Sequence, residues 1–482
     1  MTMPFMAFAH TGITNLSGKD EIALAPMLIE EYSPSDNSFT HEFELRVRQN
    51  VSGRSTDSDD YFHAVLSKSG TLGSVLGEKI YEIESIAVEG PMNEADFNTL
   101  WEATFNGHLK NIDLQKATVE NGKIPDKALF HIDAQVNWET MEITTTELEK
   151  LILPDGVTEI GEFAVAYATA LKEIKFPKTL QTIGKAAFTD CISLTAEQLV
   201  FPESLSVIGE QAFYQCRGLT GRITLPSSLK AIVCGAFYCC KISEINFPQS
   251  LEYLGCMAFA NSALVKAILP DNCTLCSEGG QFYNIWPLAE AHLPNNLTLV
   301  PNSVFSGCFS LKKVNVPTRA VTIAEFAFDQ AKMSDIDFPE TLESIEQDAF
   351  QSCNKLTAVV LPSSLKSLLC GSLQKIYCKA TVPPACIPAS GYESDGTPFA
   401  SVNPSTPVYI PVGTKQQYVT APGWDYMTNF IETDDFPAAG IESVATDVDE
   451  QDGITYDLFG RKVETLYPGN IYIRNGKKLL IK

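Results

Sequence analysis

The residues best equipped for chemistry are thirteen cysteines, because thiolates bind metals and exchange disulfides. All of them lie between Cys191 and Cys386. Cys273-Thr-Leu-Cys276 is a CxxC, the spacing of zinc ribbons and thiol redox centres, yet no second CxxC and no histidine pair accompanies it. General acid–base chemistry has little to work with. Of six histidines, His10, His41 and His63 sit near the start and only His292 falls inside the repeats described below. The chain contains no HExxH, no Gly-x-Ser-x-Gly, no P-loop and no Gly-x-Gly-x-x-Gly. Asp447-Val-Asp449-Glu-Gln-Asp452-Gly453 approaches a calcium loop, but its glycine comes one place late and the twelfth position is Leu458. It reads as a solvated acidic linker, as do Asp57, Asp59 and Asp60. These residues predict no catalytic site, no metal site and no cofactor.

The elements that position these side chains follow from one spacing. Pro154, Pro177, Pro202, Pro226, Pro248, Pro270, Pro294, Pro317, Pro339 and Pro362 succeed one another at intervals of 22 to 25 residues. One and three residues before each proline the chain is apolar, and two and four before it mostly polar. That alternation predicts a short strand with one buried and one wet face. Six residues after the proline comes Ile160, Ile183, Ile208, Ile232 or an apolar equivalent. Eleven after comes Phe188, Phe213, Phe237, Phe259, Phe305, Phe328 or Phe350. A single unit of this length cannot bury its own face, whereas stacked copies share a continuous core. The ruler also re-reads the cysteines. Cys191, Cys216, Cys240, Cys308 and Cys353 each follow the repeat phenylalanine by three residues, a small buried site where cysteine acts as a compact hydrophobe. Cys273 and Cys276 fall at +3 and +6, positions that elsewhere hold mainly Leu and Ile, and read as core. Cys234 and Cys256 occupy one equivalent position on consecutive rungs, within disulfide reach if the geometry allows.

The pattern in Phe201-Pro-Glu-Ser-Leu-Ser-Val-Ile-Gly-Glu-Gln-Ala-Phe-Tyr-Gln-Cys-Arg-Gly-Leu219 resembles the BspA-like class of leucine-rich repeats. The resemblance implies a repeat solenoid of short parallel strands stacked into a curved rod, over residues 144–384. Residues 68–143 then read as an N-terminal cap with degenerate first repeats, including Leu109–Leu114 and Ile124-Pro125. Residues 385–435 read as a C-terminal cap built on Val408–Gly413 and Gly423-Trp424. Residues 10–67 form an N-terminal β-rich region of about 58 residues, short for a catalytic domain. Residues 1–9 end in Ala7-Phe8-Ala9 and read either as a signal-peptide remnant or as a plain strand. Residues 436–482 are an acidic linker and a basic β tail, with strands joined at Asn475-Gly476, that resembles the C-terminal sorting tails of secreted proteins from anaerobic bacteria. Export to the bacterial surface or beyond is what that resemblance implies.

With 35 Lys+Arg against 59 Asp+Glu, the net charge is -24, which repels nucleic acid and anionic lipid. No apolar run is long enough to span a membrane. The remaining candidate surface is the wet strand face, where Glu173, Arg222, Glu244, Lys266, Glu290, Lys313 and Asp335 stand four residues before their prolines and His292 two before. Opposite charges fall on neighbouring rungs, so this row reads either as a self-paired ladder or as a broad binding face. The rung between Pro270 and Pro294 loses the Ala-Phe signature and reads Gly279-Gly-Gln-Phe-Tyr-Asn-Ile-Trp286. Tyr283 and Trp286 there could stack on a sugar or peptide; the favoured alternative is a broken repeat whose Phe282 has slipped one place into the core. The resulting expectation is a non-enzymatic, adhesin-like binder of host matrix or bacterial surface protein. A glycan-binding accessory role is the alternative.

Overall fold

Two strand pieces per rung, one before the proline and one after it, build two parallel ladders in the computed structural model. It describes residues 61–137, 142–368, 374–386 and 402–437, and four strands of the tail. Residues 1–60, with His10, His41 and the acids at 57–60, lie outside the described residues, as do Cys370 and the 447–453 loop. The first ladder opens with Phe62–Val65, Ser85–Met92, Asn111–Asp113, Lys150–Ile152 and Glu173–Lys175, paired in that order. Equivalent positions pair in Thr220–Thr224 with Lys241–Asn246 and in Lys266–Ile268 with Glu290–His292. The second ladder runs Lys123–Ile124, Glu159–Ile160, Thr182–Ile183, Val207–Ile208, Ala231–Ile232, Tyr253–Leu254 and Thr274–Leu275. It resumes at Leu299–Val300. Ile124 pairs with Ile160 at the start of the second ladder, and Ile112 stands between Ile86 and Leu151 inside the first.

A third ladder lies in the turns, where each rung holds two left-handed residues. Nine residues after the proline come Phe163, Ala186, Gln211, Met257, Ser303, Phe326 and Asp348; thirteen after come Tyr167, Asp190, Gln215, Cys239, Asn261, Gln330 and Ser352. Such backbone is costly for residues with a Cβ, and hydrogen bonding offsets the cost. Positive φ turns the N–H along the stacking direction, so Ala186 donates to Glu210 O at 2.7 Å and Asp190 to Tyr214 O at 2.8 Å on the next rung. Between them Phe188 donates to Ala212 O at 2.8 Å. Glycine appears where rungs nearly touch: a Cβ on Gly184 would lie 2.5 Å from Ile160 O.

The core is a column of phenylalanine rings. Phe188, Phe213, Phe237 and Phe259 stack nearly parallel with 5.3 Å between successive centroids, close to the strand repeat of about 4.8 Å. The column continues through Phe282 and Phe305 to Phe328 and Phe350. Phe282 is buried in it, so the slipped-repeat reading of that rung is the one observed. Beside the column, Cys191, Cys216, Cys240, Cys308 and Cys353 are buried. Their thiols donate to main-chain oxygens one rung back, Cys216 to Phe188 O and Cys353 to Phe328 O at 3.0 Å. Burial pushes all five thiols up, Cys308 and Cys353 to about 12. Because the thiolate is the reactive form, these five are expected to resist iodoacetamide in the native chain and to label fully in guanidinium, read by peptide mass.

At the far end Val408–Ile410 and Phe430–Glu432 add to the strands Ala358–Leu361 and Lys375–Cys378. Trp424 is buried there, donating its indole N–H to Pro384 O at 2.8 Å, and Tyr418 donates its hydroxyl to Ala380 O at 2.6 Å. Both buried rings thus have their polar atoms satisfied. In the tail, Ile471–Arg474 and Lys477–Leu480 pair antiparallel across residues 475 and 476, the hairpin that Asn-Gly predicts.

Candidate functional site

The outward strand face is in register from rung to rung. Lys150 stands opposite Glu173, Arg222 opposite Glu244, Lys266 opposite Glu290, and Glu290 bridges on to Lys313. Alternation puts these side chains outward while Leu151, Ile174, Ile223 and Ala267 between them are buried. Part of the row neutralises itself: Lys150 and Glu173 are 3.2 Å apart, Lys266 and Glu290 3.1 Å. Exposed pairs of this kind contribute about 0–1 kcal/mol each. His292 lies 3.5 Å from Asp271. The Asp271 carboxyl is held below its usual range, first by the Asn295 N–H and then by that histidine, although burial opposes them. Arg222, Glu244, Lys313 and Asp335 make no ion pair among the described residues, and all four are exposed. The face is therefore half paired and half open.

The irregular rung separates its two aromatics. Tyr283 is half-buried, and its hydroxyl is pushed up by burial and by Asp329. Trp286 is 63% exposed and makes its ring contact with Phe309, itself 41% exposed, edge-on at 5.9 Å. Its indole N–H donates to Asn284 Oδ1 at 2.6 Å, and Asn284 donates to Asn261 at 2.6 Å, so the ring is held rather than loose. Val265 and Ile268, at 50% and 40%, add exposed apolar surface on the preceding rung. Lys312 and Lys313 follow Phe309 by three and four residues and are exposed. Phe309 escapes a reading of the irregular rung alone. Its signal is positional, because it directly follows Cys308 as Trp286 directly follows Ile285, and those two residues occupy the same buried site.

A spacing of about 23 residues, two parallel ladders and one phenylalanine per rung are the marks of one repeat class. Residues 143–266 and 278–379 match the BspA type leucine rich repeat region, in six copies. These residues belong to the BspA-type leucine-rich-repeat family. No curated protein matches the sequence. Among solved structures, a leucine-rich repeat protein from Bacteroides ovatus is 23% identical, with 60% of this chain and 88% of that one covered at a TM-score of 0.40. A leucine rich cell surface protein from Faecalibacterium prausnitzii is 19% identical, with 66% and 82% covered and a TM-score of 0.32. The pneumococcal vaccine antigen PcpA is 15% identical, with 73% and 79% covered and a TM-score of 0.39.

BspA-type solenoids are, as a class, binding scaffolds: a regular ladder presents many side chains at fixed spacing and encloses little. No helix among the described residues is long and apolar enough to cross a membrane. The repeat match breaks off between 266 and 278, the stretch that carries Cys273 and Cys276. There the structure corrects the ruler. Thr274 and Leu275 pair with Tyr253 and Leu254, so Leu275 takes the strand position and Cys276 falls one place beyond it. Cys273 is buried in the leucine position, as its spacing predicts. The ruler fails at Cys276 because this rung is one residue short between its proline and its second strand.

Proposed function

We propose that the outward strand face binds a protein at the cell surface, with the exposed Trp286–Phe309 pair as its apolar anchor and Arg222 and Lys313 as its charged flank. The observation that carries this reading is the held, exposed Trp286–Phe309 pair, with exposed Lys312 and Lys313 three and four residues after Phe309, on a chain whose net charge is -24. Buried hot spots of interfaces are enriched in Trp and Arg, and a local basic flank steers acidic partners. The partner class is a host matrix or bacterial surface protein, reached after export, in an adhesin-like role without turnover. Glu173 is paired with Lys150 and Lys266 with Glu290, and these serve as the frame of the face; Glu244 and Asp335 lie at its open positions, and His292 faces Asp271. Tyr283, half-buried, plays little part.

The test is capture by the full chain on arrays of extracellular-matrix proteins and of glycans, each at low and high salt. Capture of a protein that weakens with salt supports the reading. Trp286→Ala is then expected to lower affinity by about 10–30-fold, as a hot spot of about 2 kcal/mol does. Charge reversal of Arg222 and Lys313 should weaken capture more than reversal of Lys266. Salt-insensitive glycan capture lost in Trp286→Ala would favour the carbohydrate reading, since a sugar stacks on an open indole face.

A further inference from the structure

Three cysteines depart from the buried site that Cys191, Cys216, Cys240, Cys308 and Cys353 share. Eight residues after the proline, other rungs carry Glu162, Lys185, Glu210, Asn302, Glu325 and Gln347, all half-buried or exposed. This is no core position, yet two consecutive rungs place Cys234 and Cys256 there. The next rung, shortened by one residue, brings Cys276 to meet them. Its N–H donates to Leu254 O at 3.0 Å, just as Gly255 one rung back donates to Ile232 O at 2.8 Å. A Cβ on Gly255 would lie 2.3 Å from Cys234 N, so glycine lets the rungs close at this point. The three sulfurs all lie within 4.8 Å of one another. Cys256 and Cys276 are 1% and 8% exposed, and Cys234 is half-buried, which leaves one open side.

We propose that Cys234, Cys256 and Cys276 form a three-sulfur site for a thiophilic d10 cation, Zn2+, with the fourth coordination position left to water on the open side. Tetrahedral Zn–S bonds of about 2.3 Å place sulfurs about 3.8 Å apart, so small side-chain rotations close the site. An all-sulfur face selects zinc over calcium or magnesium. The surroundings suit bound thiolates. The Cys256 N–H donates to Cys234 Sγ at 3.2 Å, the kind of backbone bond that supports a ligating sulfur. On binding, the thiol protons leave to solvent. The ion would join three rungs where the second ladder is interrupted, between Leu275 and Leu299, and where the phenylalanine column opens to 6.2 Å at Phe259–Phe282.

The experiment uses the untagged full chain, purified with reductant and chelator and then titrated with Zn2+ against a chromophoric competitor. Expected are about one Zn2+ per chain, proton release, and a rise in melting temperature by mass action. Cd2+ should produce a thiolate charge-transfer band in the ultraviolet. Cys276→Ala should weaken binding by on the order of 100-fold or more, because even outer partners of a metal site cost about 10–100-fold. Cys234→Asn and Cys256→Asn, which install the residue found at Asn302, should do the same, while Cys353→Ala should bind as the parent does. If the Asn variants misfold by circular dichroism, Cys276→Ala carries the test, since it places a small side chain opposite Gly255. No uptake by the fully reduced chain, equal affinity in Cys276→Ala, or a Cys234–Cys256 disulfide whose reduction restores no binding would each overturn the site.

Discussion

Phe237→Ala is expected to destabilise the array by about 3–5 kcal/mol, the range for removing a fully buried aromatic. Phe237 has no exposed surface, and its ring lies between Phe213 and Phe259 at 5.3 Å on either side, within 4° and 11° of parallel. The upper part of the range is favoured because the site resists collapse. Phe237 N–H donates to Ala258 O at 2.8 Å and Phe213 N–H to Ala236 O at 2.8 Å, so backbone ladders fix the rung spacing and the neighbouring rings cannot close over the void. In a stack where each rung touches only its neighbours, stability is a sum of rung and interface terms. A void in mid-array weakens two interfaces at once, and urea unfolding should then split into two transitions. Phe350→Ala provides the contrast: its ring stacks on Phe328 and meets Phe338 edge-on, but it is 5% exposed and nearer the end. A smaller loss and a single transition are expected there. Equal losses at the two positions would show that the column does not act as a chain of coupled interfaces.

The column was legible because phenylalanine recurs at a fixed distance from proline, and apolar residues at fixed spacing have one common physical use, burial against the same residue of the next rung. The alternation before each proline likewise revealed which face is wet, and the register of Lys150 with Glu173 and Lys266 with Glu290 followed from it. Three things were hidden. The left-handed turn residues are Ala186, Gln211, Met257 and Phe326 as readily as glycine, because inter-rung hydrogen bonds rather than residue type hold them, so composition carries no mark of them. The one-residue deletion before Leu275 was equally silent: Leu275 and Cys276 are both apolar, and a ruler counted from Pro270 cannot tell which of them enters the ladder. That slip hid the convergence of Cys276 with Cys234 and Cys256. The partner of Trp286 was hidden for a related reason, since Phe309 lies on a regular rung that offers no local irregularity to notice.

Asp190→Asn is expected to stabilise the chain at pH 7 and to flatten its stability between about pH 4 and 7. Asp190 occupies a left-handed turn position with φ 57° and is 4% exposed. Burial pushes its carboxyl up to about 7, with Arg217 pulling the other way. An unfolded aspartate ionises near 3.9. Between those two values the folded chain holds a proton that the unfolded chain has lost, so stability falls as pH rises through the window. Below about pH 4 both states are protonated and the effect vanishes; above about pH 7 it saturates, because the folded carboxylate ionises too. At 1.36 kcal/mol per pKa unit the ceiling is about 4 kcal/mol, and about 2–4 kcal/mol is expected in urea midpoints. Asparagine suits the site because Asn261 occupies the equivalent position three rungs along with φ 58°, and an amide has no charge to desolvate. Asp329, pushed up to about 6 by burial against bonds from Gln330 and Ser306, contributes in the same direction, so the parent's slope should be reduced in Asp190→Asn and flatter still in the double variant with Asp329→Asn. Exposed carboxylates such as Asp271 and Glu340, which are held low, tilt stability the opposite way but equally in parent and variant. The difference between the two chains, followed across pH, therefore isolates the buried acid, and a difference that stays constant from pH 4 to 7 would mean that Asp190 is ionised in the folded chain.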